Sequence, residues 1–303
     1  MLTDTLITRE QKVTHATMPD WCAPWVDDLR KRPEDNKYSH GHALVLSGGP
    51  NKGGAARLAA LGALRIGAGL ITIGCPLRAT LEHASQLNAI MLAPIDGPPG
   101  LTELLDDERI NSVCVGPGLG LGVQTHDFVM AALRSGRAVT IDADALSRFE
   151  RNPDDLFANL HDKCVLTPHA GEFRRVFPDL AGRGESKGSR DLEIRTEQTI
   201  QAAKRAGCTI LFKGAISVIA NPQGDVFVIE AKGENAAPWL ATAGSGDVLT
   251  GFVTGLMARG WPATRAAGMA AWLHLACAVR FGPGLIAEDI PSELPRVLFE
   301  LGV

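Results

Sequence analysis

The sequence predicts an α/β protein with a largely parallel central sheet and helices on both faces. Three observations carry this expectation. From about residue 40, short apolar runs of strand length alternate with longer segments of helical composition. Two glycine-rich turns each follow such a run, where the crossovers of a parallel sheet need them. The chain has 303 residues, which suits one large α/β domain or two smaller ones and buries a substantial core.

Residues 1 to about 38 read as an arm or linker, with the catalytic unit over 39–303. Pro19, Pro24 and Pro33 punctuate the arm, and Asp27 to Lys37 is rich in charge. Trp21 and Trp25 suit packing on the main body or on another subunit. Ala43 to Ser47 is the first strand, Gly48 to Gly54 a turn, and Ala55 to Ile66 a helix. Leu70 to Gly74 follows as a strand. Later strands are expected at Asn88 to Leu92, Ser112 to Val115, Ala138 to Asp142, Lys163 to Thr167, Cys208 to Phe212, Ser217 to Ala220 and Asp225 to Ile229. Asn221-Pro222-Gln223-Gly224 reads as the turn of a hairpin. Helices are expected at Gln124 to Arg134, Ala170 to Phe177, Arg190 to Ala206, Val248 to Arg259 and Ala263 to Val279. Pro178 to Gly188 reads as a mobile surface loop.

Composition excludes several classes. The net charge is −4, and basic residues are scattered apart from Arg174-Arg175 and a few short pairs, so no nucleic-acid partner is expected. Tyr38 is the single tyrosine, which gives little support to base stacking. No run of about 20 apolar residues exists, so no membrane span is expected. The N-terminus has no charged start with an apolar core behind it, and a cytoplasmic protein is the default. Cys22, Cys75, Cys114, Cys164, Cys208 and Cys277 form no Cys-x-x-Cys pair and read as buried free thiols.

Chemistry concentrates in turns that follow strands. Gly48 to Gly54 matches neither the Gly-x-Gly-x-x-Gly fingerprint nor a Walker loop, yet it permits close approach by a ligand. Val115-Gly116-Pro117-Gly118-Leu119-Gly120 follows another strand, and the two turns are expected to line one crevice. Asp142, just after a strand, either holds water or a cation near phosphate or caps the next turn. Asp144 reads as a cap or an orienter of the loop. His169 can donate a hydrogen bond to a polar substrate. Glu172 either orients magnesium-bound water or steadies a helix start. Lys213, at a flexible corner with Gly214, can approach nucleotide phosphates. His40 and His42 either touch a ligand or mark the boundary with the arm, and His274 reads as structural.

Gly244-Ser245-Gly246-Asp247 carries the most information. Small residues open the last helix of the expected core, whose free N–H groups suit a phosphate. A carboxylate in that first turn is placed to take a proton from a hydroxyl that attacks a phosphoryl group.

In order and spacing, these segments resemble the ADP/ATP-dependent NAD(P)H-hydrate dehydratases of the ribokinase-like superfamily. The resemblance rests on Gly48 to Gly69, Val115 to Gly120, Ile141 to Leu146, Leu166 to Phe173, Lys213-Gly214-Ala215 and Ala241 to Gly251. It implies a ribokinase-like fold and repair of (S)-NADH and (S)-NADPH hydrates. The C6 hydroxyl is phosphorylated, and loss of phosphate restores the double bond. ADP, giving AMP, is the expected donor, with ATP as the alternative and Mg2+ as cofactor. The resemblance further implies Asp247 as catalytic base and Ala55, Gly120, His169 and Asp247 as substrate contacts. Lys213, Gly214, Ala215, Ile216, Ser217 and Gly246 become nucleotide contacts, and Gly244, Ser245 and Gly246 the anion hole. Asp142 and Glu172 are the weaker candidates for water-mediated magnesium. A homo-oligomer, commonly a tetramer, is also implied, and epimerase activity is not expected.

The sequence departs from the family pattern before that last motif. The usual Gly-Asn-Pro-x-Met-Ala-Thr-Gly-Gly is replaced by a stretch with bulky Trp239 and Leu240, and Ala243 stands for a common Gly. Three other readings stay open: a ribokinase-like kinase of a small hydroxylated vitamin precursor, an NAD-binding oxidoreductase, and a nucleotide sensor without catalysis.

Overall fold

The computed structural model describes residues 15–182 and 189–303. Among them, nine strands form one sheet in the order β3-β2-β1-β4-β5-β6-β7-β8-β9. They are β1 (His42–Leu46), β2 (Leu70–Cys75), β3 (Met91–Pro94), β4 (Ile110–Val115), β5 (Ala138–Ile141), β6 (Cys164–Leu166), β7 (Thr209–Phe212), β8 (Ile216–Ala220) and β9 (Val226–Glu230). Every pairing from β3 across to β7 is parallel. β8 and β9 add antiparallel, joined through the expected turn at Asn221.

The helices are α1 (Gly54–Arg65), α2 (Thr80–Ala84), α3 (Gly97–Leu104), α4 (Val123–Arg134), α5 (Ala143–Arg148), α6 (Pro153–Phe157), α7 (Ala170–Val176), α8 (Pro178–Ala181), α9 (Ser189–Ala206), α10 (Ser245–Ala258), α11 (Ala263–Phe281) and α12 (Asp289–Glu300). β1 is buried along its whole length because both of its faces are covered. Leu44 and Leu46 join the core formed with α3, α4, α5, α7 and α9. Ala43 and Val45 face the other way, against α1. α10, α11 and α12 complete that second layer.

α10 is buried all round from Val248 to Ala258. It lies so close to α1 that a Cβ on Gly251 would stand 2.1 Å from the Ala59 carbonyl oxygen. Only glycine fits there. This contact sets the opening turns of α1 and α10 side by side.

Several expectations need correction. The strand expected at Asn88 to Leu92 is Met91–Pro94, displaced by a turn through Gln86 to Ile90. α10 is not the last helix, since α11 and α12 follow it. Pro291 and Pro295 hide α12 from a sequence reading, but Ile290, Leu294 and Val297 give it a buried stripe at helical spacing. Pro178 to Gly188 opens with the short helix α8, and positions 183–188 lie outside the described residues.

The described part of the arm, residues 15–38, packs on the main body. Trp21 stacks on Phe227 of β9 with centroids 4.7 Å apart, and Trp25 meets the same ring edge-on at 5.2 Å. Cys22 and Leu29 sit in one core cluster with α11. All six cysteines are buried and free. No described helix is long and apolar enough to cross a membrane.

Candidate active site

In a parallel sheet, the crevice opens at the carboxyl ends of the strands, where the strand order reverses. Here that point lies between β1 and β4. The two glycine-rich turns meet there: a Cβ on Gly48 would stand 2.1 Å from the Gly118 carbonyl oxygen. Ala55, in the first turn of α1, abuts Gly118. The Gly120 N–H donates to Asp144 at 2.8 Å, so Asp144 orients this loop.

A charged cluster occupies the ends of β5, β6 and β7. Asp142 follows β5 and is almost fully buried. Its Oδ1 accepts from Lys213 Nζ at 2.6 Å, and its Oδ2 accepts from Thr250 Oγ1 at 2.6 Å. Asp142 opens α5, but its side chain does not cap that helix. Glu172 closes a capping box at the start of α7, accepting from the His169 N–H at 2.8 Å. The Lys213 ammonium stands 3.9 Å from Glu172 Oε2. His169 Nδ1 accepts the Gly171 and Glu172 N–H groups, so a neutral ring carries its proton on Nε2. Burial, then Lys213, lowers its pKa and keeps that ring neutral. His169 is therefore a donor, not a base, and its Nε2 stands 3.3 Å from Glu172 Oε1.

Asp247 occupies the first turn of α10, which Gly244 opens in the left-handed conformation at φ +87°. Among the described residues, no group donates a hydrogen bond to its carboxylate. Burial, then the charge on Asp142, pushes its pKa up to about 6 against the opposing pull of Lys213. Burial alone would lower the Lys213 pKa, but Asp142, Glu172 and Asp247 outweigh it and raise it. Glu172 is raised, first by burial and then by Asp142. A Cβ on Gly246 would lie 3.5 Å from Lys213 Nζ, so the ammonium stands beside the opening turn of α10, where the Ser245 N–H makes only a long 3.5 Å bond to the Thr242 carbonyl.

Three fasteners hold that turn. His274, pushed down to about 4 by burial and thus neutral, bonds the Ser245 carbonyl through Nε2 at 2.8 Å. Ser245 Oγ donates to the carbonyls of Leu240 and Thr242. Thr250 ties the next turn of α10 to Asp142. The bulky approach to the motif is thus built into the turn through the Leu240 backbone, while Trp239 stays exposed.

The corner after β7 closes on itself. The Gly214 N–H donates to Ser217 Oγ at 3.3 Å, and that hydroxyl donates back to the Gly214 carbonyl at 3.1 Å. Ile216 is buried, so it offers a ligand only backbone. The structure thus gathers Asp142, His169, Glu172, Lys213, Gly246 and Asp247 around one floor, with Ala55 and Gly120 on the adjoining wall. His40 and His42 lie at the opposite end of β1, the first 3.2 Å from Asp35 and the second hydrogen-bonded to Thr72, and belong to the boundary with the arm. A concavity of about 1170 Å³ on the outer side of α1 against α12 contains none of the acidic cluster.

Residues 43–294 match the family described as NAD(P)H-hydrate dehydratase. The chain belongs to that family. It is 37% identical over 283 residues to the bifunctional NAD(P)H-hydrate repair enzyme Nnr of Salinibacter ruber, an alignment covering 88% of this chain and 50% of that protein. The chain therefore spans about half the length of such relatives. The ADP/ATP-dependent NAD(P)H-hydrate dehydratase of Bacillus subtilis, co-crystallised with ATP and Mg2+, is 27% identical with a TM-score of 0.73, covering 94% of this chain and 99% of that one. A ribokinase-like superfamily protein of Enterococcus faecalis gives a TM-score of 0.75 at 20% identity, covering 95% and 99%, and shares the fold. The ribokinase-like α/β fold expected from the sequence is the one present.

Sequence reasoning missed Thr250 and the role of His274. Thr250 had a signal, a hydroxyl inside an otherwise apolar helix three residues after Asp247. His274 gave none, because its target is a backbone carbonyl.

Proposed function

We propose that this chain dehydrates (S)-NADH and (S)-NADPH hydrates at the expense of a nucleotide, with ADP giving AMP and phosphate as the favoured donor. One observation carries the proposal: a carboxylate with no hydrogen-bond donor among the described residues stands in the opening turn of a helix beside a largely buried lysine, in a chain of this family. Asp247 takes the proton of the C6 hydroxyl as its oxygen attacks the terminal phosphorus of the nucleotide. The N–H groups of Gly244, Ser245 and Gly246, with Lys213, stabilise the charge on the transferring group. The C6–O bond then breaks with phosphate as leaving group, assisted by the ring nitrogen. Loss of the neighbouring C5 proton restores the double bond.

The donor set bears on magnesium. Both oxygens of Asp142 and one of Glu172 already accept from protein donors. Among the described residues, no group of three or more His, Cys, Asp or Glu side chains is arranged to hold a metal. These carboxylates suit an ion carried on nucleotide phosphates and reached through water. Such an ion supplies charge neutralisation. Ala55, Gly120 and His169 contact the hydrate, and Lys213 to Ser217 with Gly246 contact the nucleotide. Residues 1–38 act as an arm on a catalytic unit spanning 39–303, in a cytoplasmic homo-oligomer.

The test is incubation with (S)-NADH hydrate, magnesium and either ADP or ATP, following NADH absorbance together with released phosphate. Donor-dependent NADH recovery that disappears in Asp247→Asn supports the proposal. A stable phosphorylated product without NADH would replace it with a small-molecule kinase.

A further inference from the structure

We infer that Arg195 of α9 is the positioning residue for the Lys213–Ser217 corner and thereby for nucleotide binding. This rests on the reading of that corner as nucleotide-contacting. The carbonyls of Phe212 and Lys213 lie where β7 ends and the corner begins. Arg195 Nη2 supplies the donor to both, at 3.2 Å and 2.5 Å. Carbonyls left unpaired in a half-buried corner would let the chain reorient to find other partners.

The guanidinium is also fixed by its faces. Its carbon stands 3.5 Å from the centroid of the Phe212 ring. Phe173 of α7 stacks on the same ring at 4.1 Å and 10°. Two groups that close cannot share one face, so Arg195 and Phe173 sandwich Phe212. The stack joins α9 to the helix that carries His169 and Glu172. Burial lowers the Arg195 pKa to about 10, which still leaves the group charged at neutral pH.

Gly214 completes the fit. A Cβ there would lie 2.7 Å from Arg195 Nη2. A side chain at this corner would therefore push the guanidinium from its place. Arg195 touches neither Asp247 nor the turn that Gly244 opens, so its effect passes through the backbone of Phe212 and Lys213.

The experiment is calorimetric titration of the full chain with ADP–magnesium and ATP–magnesium, and separately with NADPH. Wild type is compared with Arg195→Leu, Arg195→Lys, Gly214→Ala and the Leu/Ala double variant. Nucleotide Kd is expected to rise about tenfold in Arg195→Leu and to recover in part in Arg195→Lys, with NADPH affinity changed less than about twofold. Gly214→Ala, which displaces the guanidinium without removing it, gives a similar loss, and the double variant is no worse than either single one. Unchanged nucleotide affinity, additive losses, or equal loss of both ligands would overturn the inference. Should Arg195→Leu not fold, Gly214→Ala and Arg195→Lys decide it alone. If wild type binds NADPH but no nucleotide, the reading of the corner itself falls, and this inference with it.

Discussion

Thr250 donates to the one oxygen of Asp142 that Lys213 leaves untouched, so a hydroxyl from α10 and an ammonium from the end of β7 share a single buried carboxylate. Removing the hydroxyl leaves an oxygen of an almost fully buried carboxylate short of a partner. Thr250→Val is expected to destabilise the fold by about 1–3 kcal/mol, with Thr250→Ser close to wild type. Denaturant unfolding of the three proteins checks this.

Asp247 carries opposite consequences for stability and for activity. Its folded-state pKa of about 6 lies above the ordinary aspartate value, so the folded chain holds this proton more tightly than the unfolded chain. Stability then falls as pH rises from the ordinary value through about 6, and at neutral pH the ionised carboxylate is a cost. Asp247→Asn is expected to be more stable than wild type at neutral pH, by up to about 2 kcal/mol, while losing the proposed activity. Wild-type kcat/KM should rise with pH through about 6. Thermal melts and a pH–rate profile test both statements.

His126 of α4 stands between Asp127 and Asp155, at 2.9 Å and 2.8 Å. Hydrogen bonds that the ring donates to Asp127 first, and then to Asp155, raise its pKa. Its clamp between α4 and α6 is fully present below the ordinary histidine value and is lost as pH rises through the raised one. Melting His126→Gln against wild type across that range should show a gap that closes at alkaline pH.

The cysteines offer a direct check on the core. Burial pushes Cys22 and Cys164 up to about 12, and all six thiols are enclosed. A thiol reagent is expected to find none reactive in the native protein and six after denaturation. Rapid native labelling of any one would contradict the packing described.

The legible part of this molecule was the part written in local pattern. Gly48 to Gly54, Val115 to Gly120 and Gly244 to Asp247 announced turns after strands and a helix opening, and those turns converge. What stayed hidden depends on distant partners. The Asp142 side chain could as well have been a cap until Lys213 and Thr250 were seen 71 and 108 positions away. Arg195 acts on carbonyls, which look alike in every sequence. α12 was masked by its prolines, whose local preference was outweighed by the burial of Ile290, Leu294 and Val297.

The seam between α1 and α10 has a mechanical consequence. With Gly251 seated on the Ala59 backbone, neither helix can slide or tilt without forcing backbone into backbone. The wall bearing Ala55 and the turn bearing Asp247 therefore travel as one jaw, and the spacing between them is set when the protein folds. Adjustment to ligands of different bulk, a dinucleotide or a mononucleotide, falls to the connecting segments above the strands.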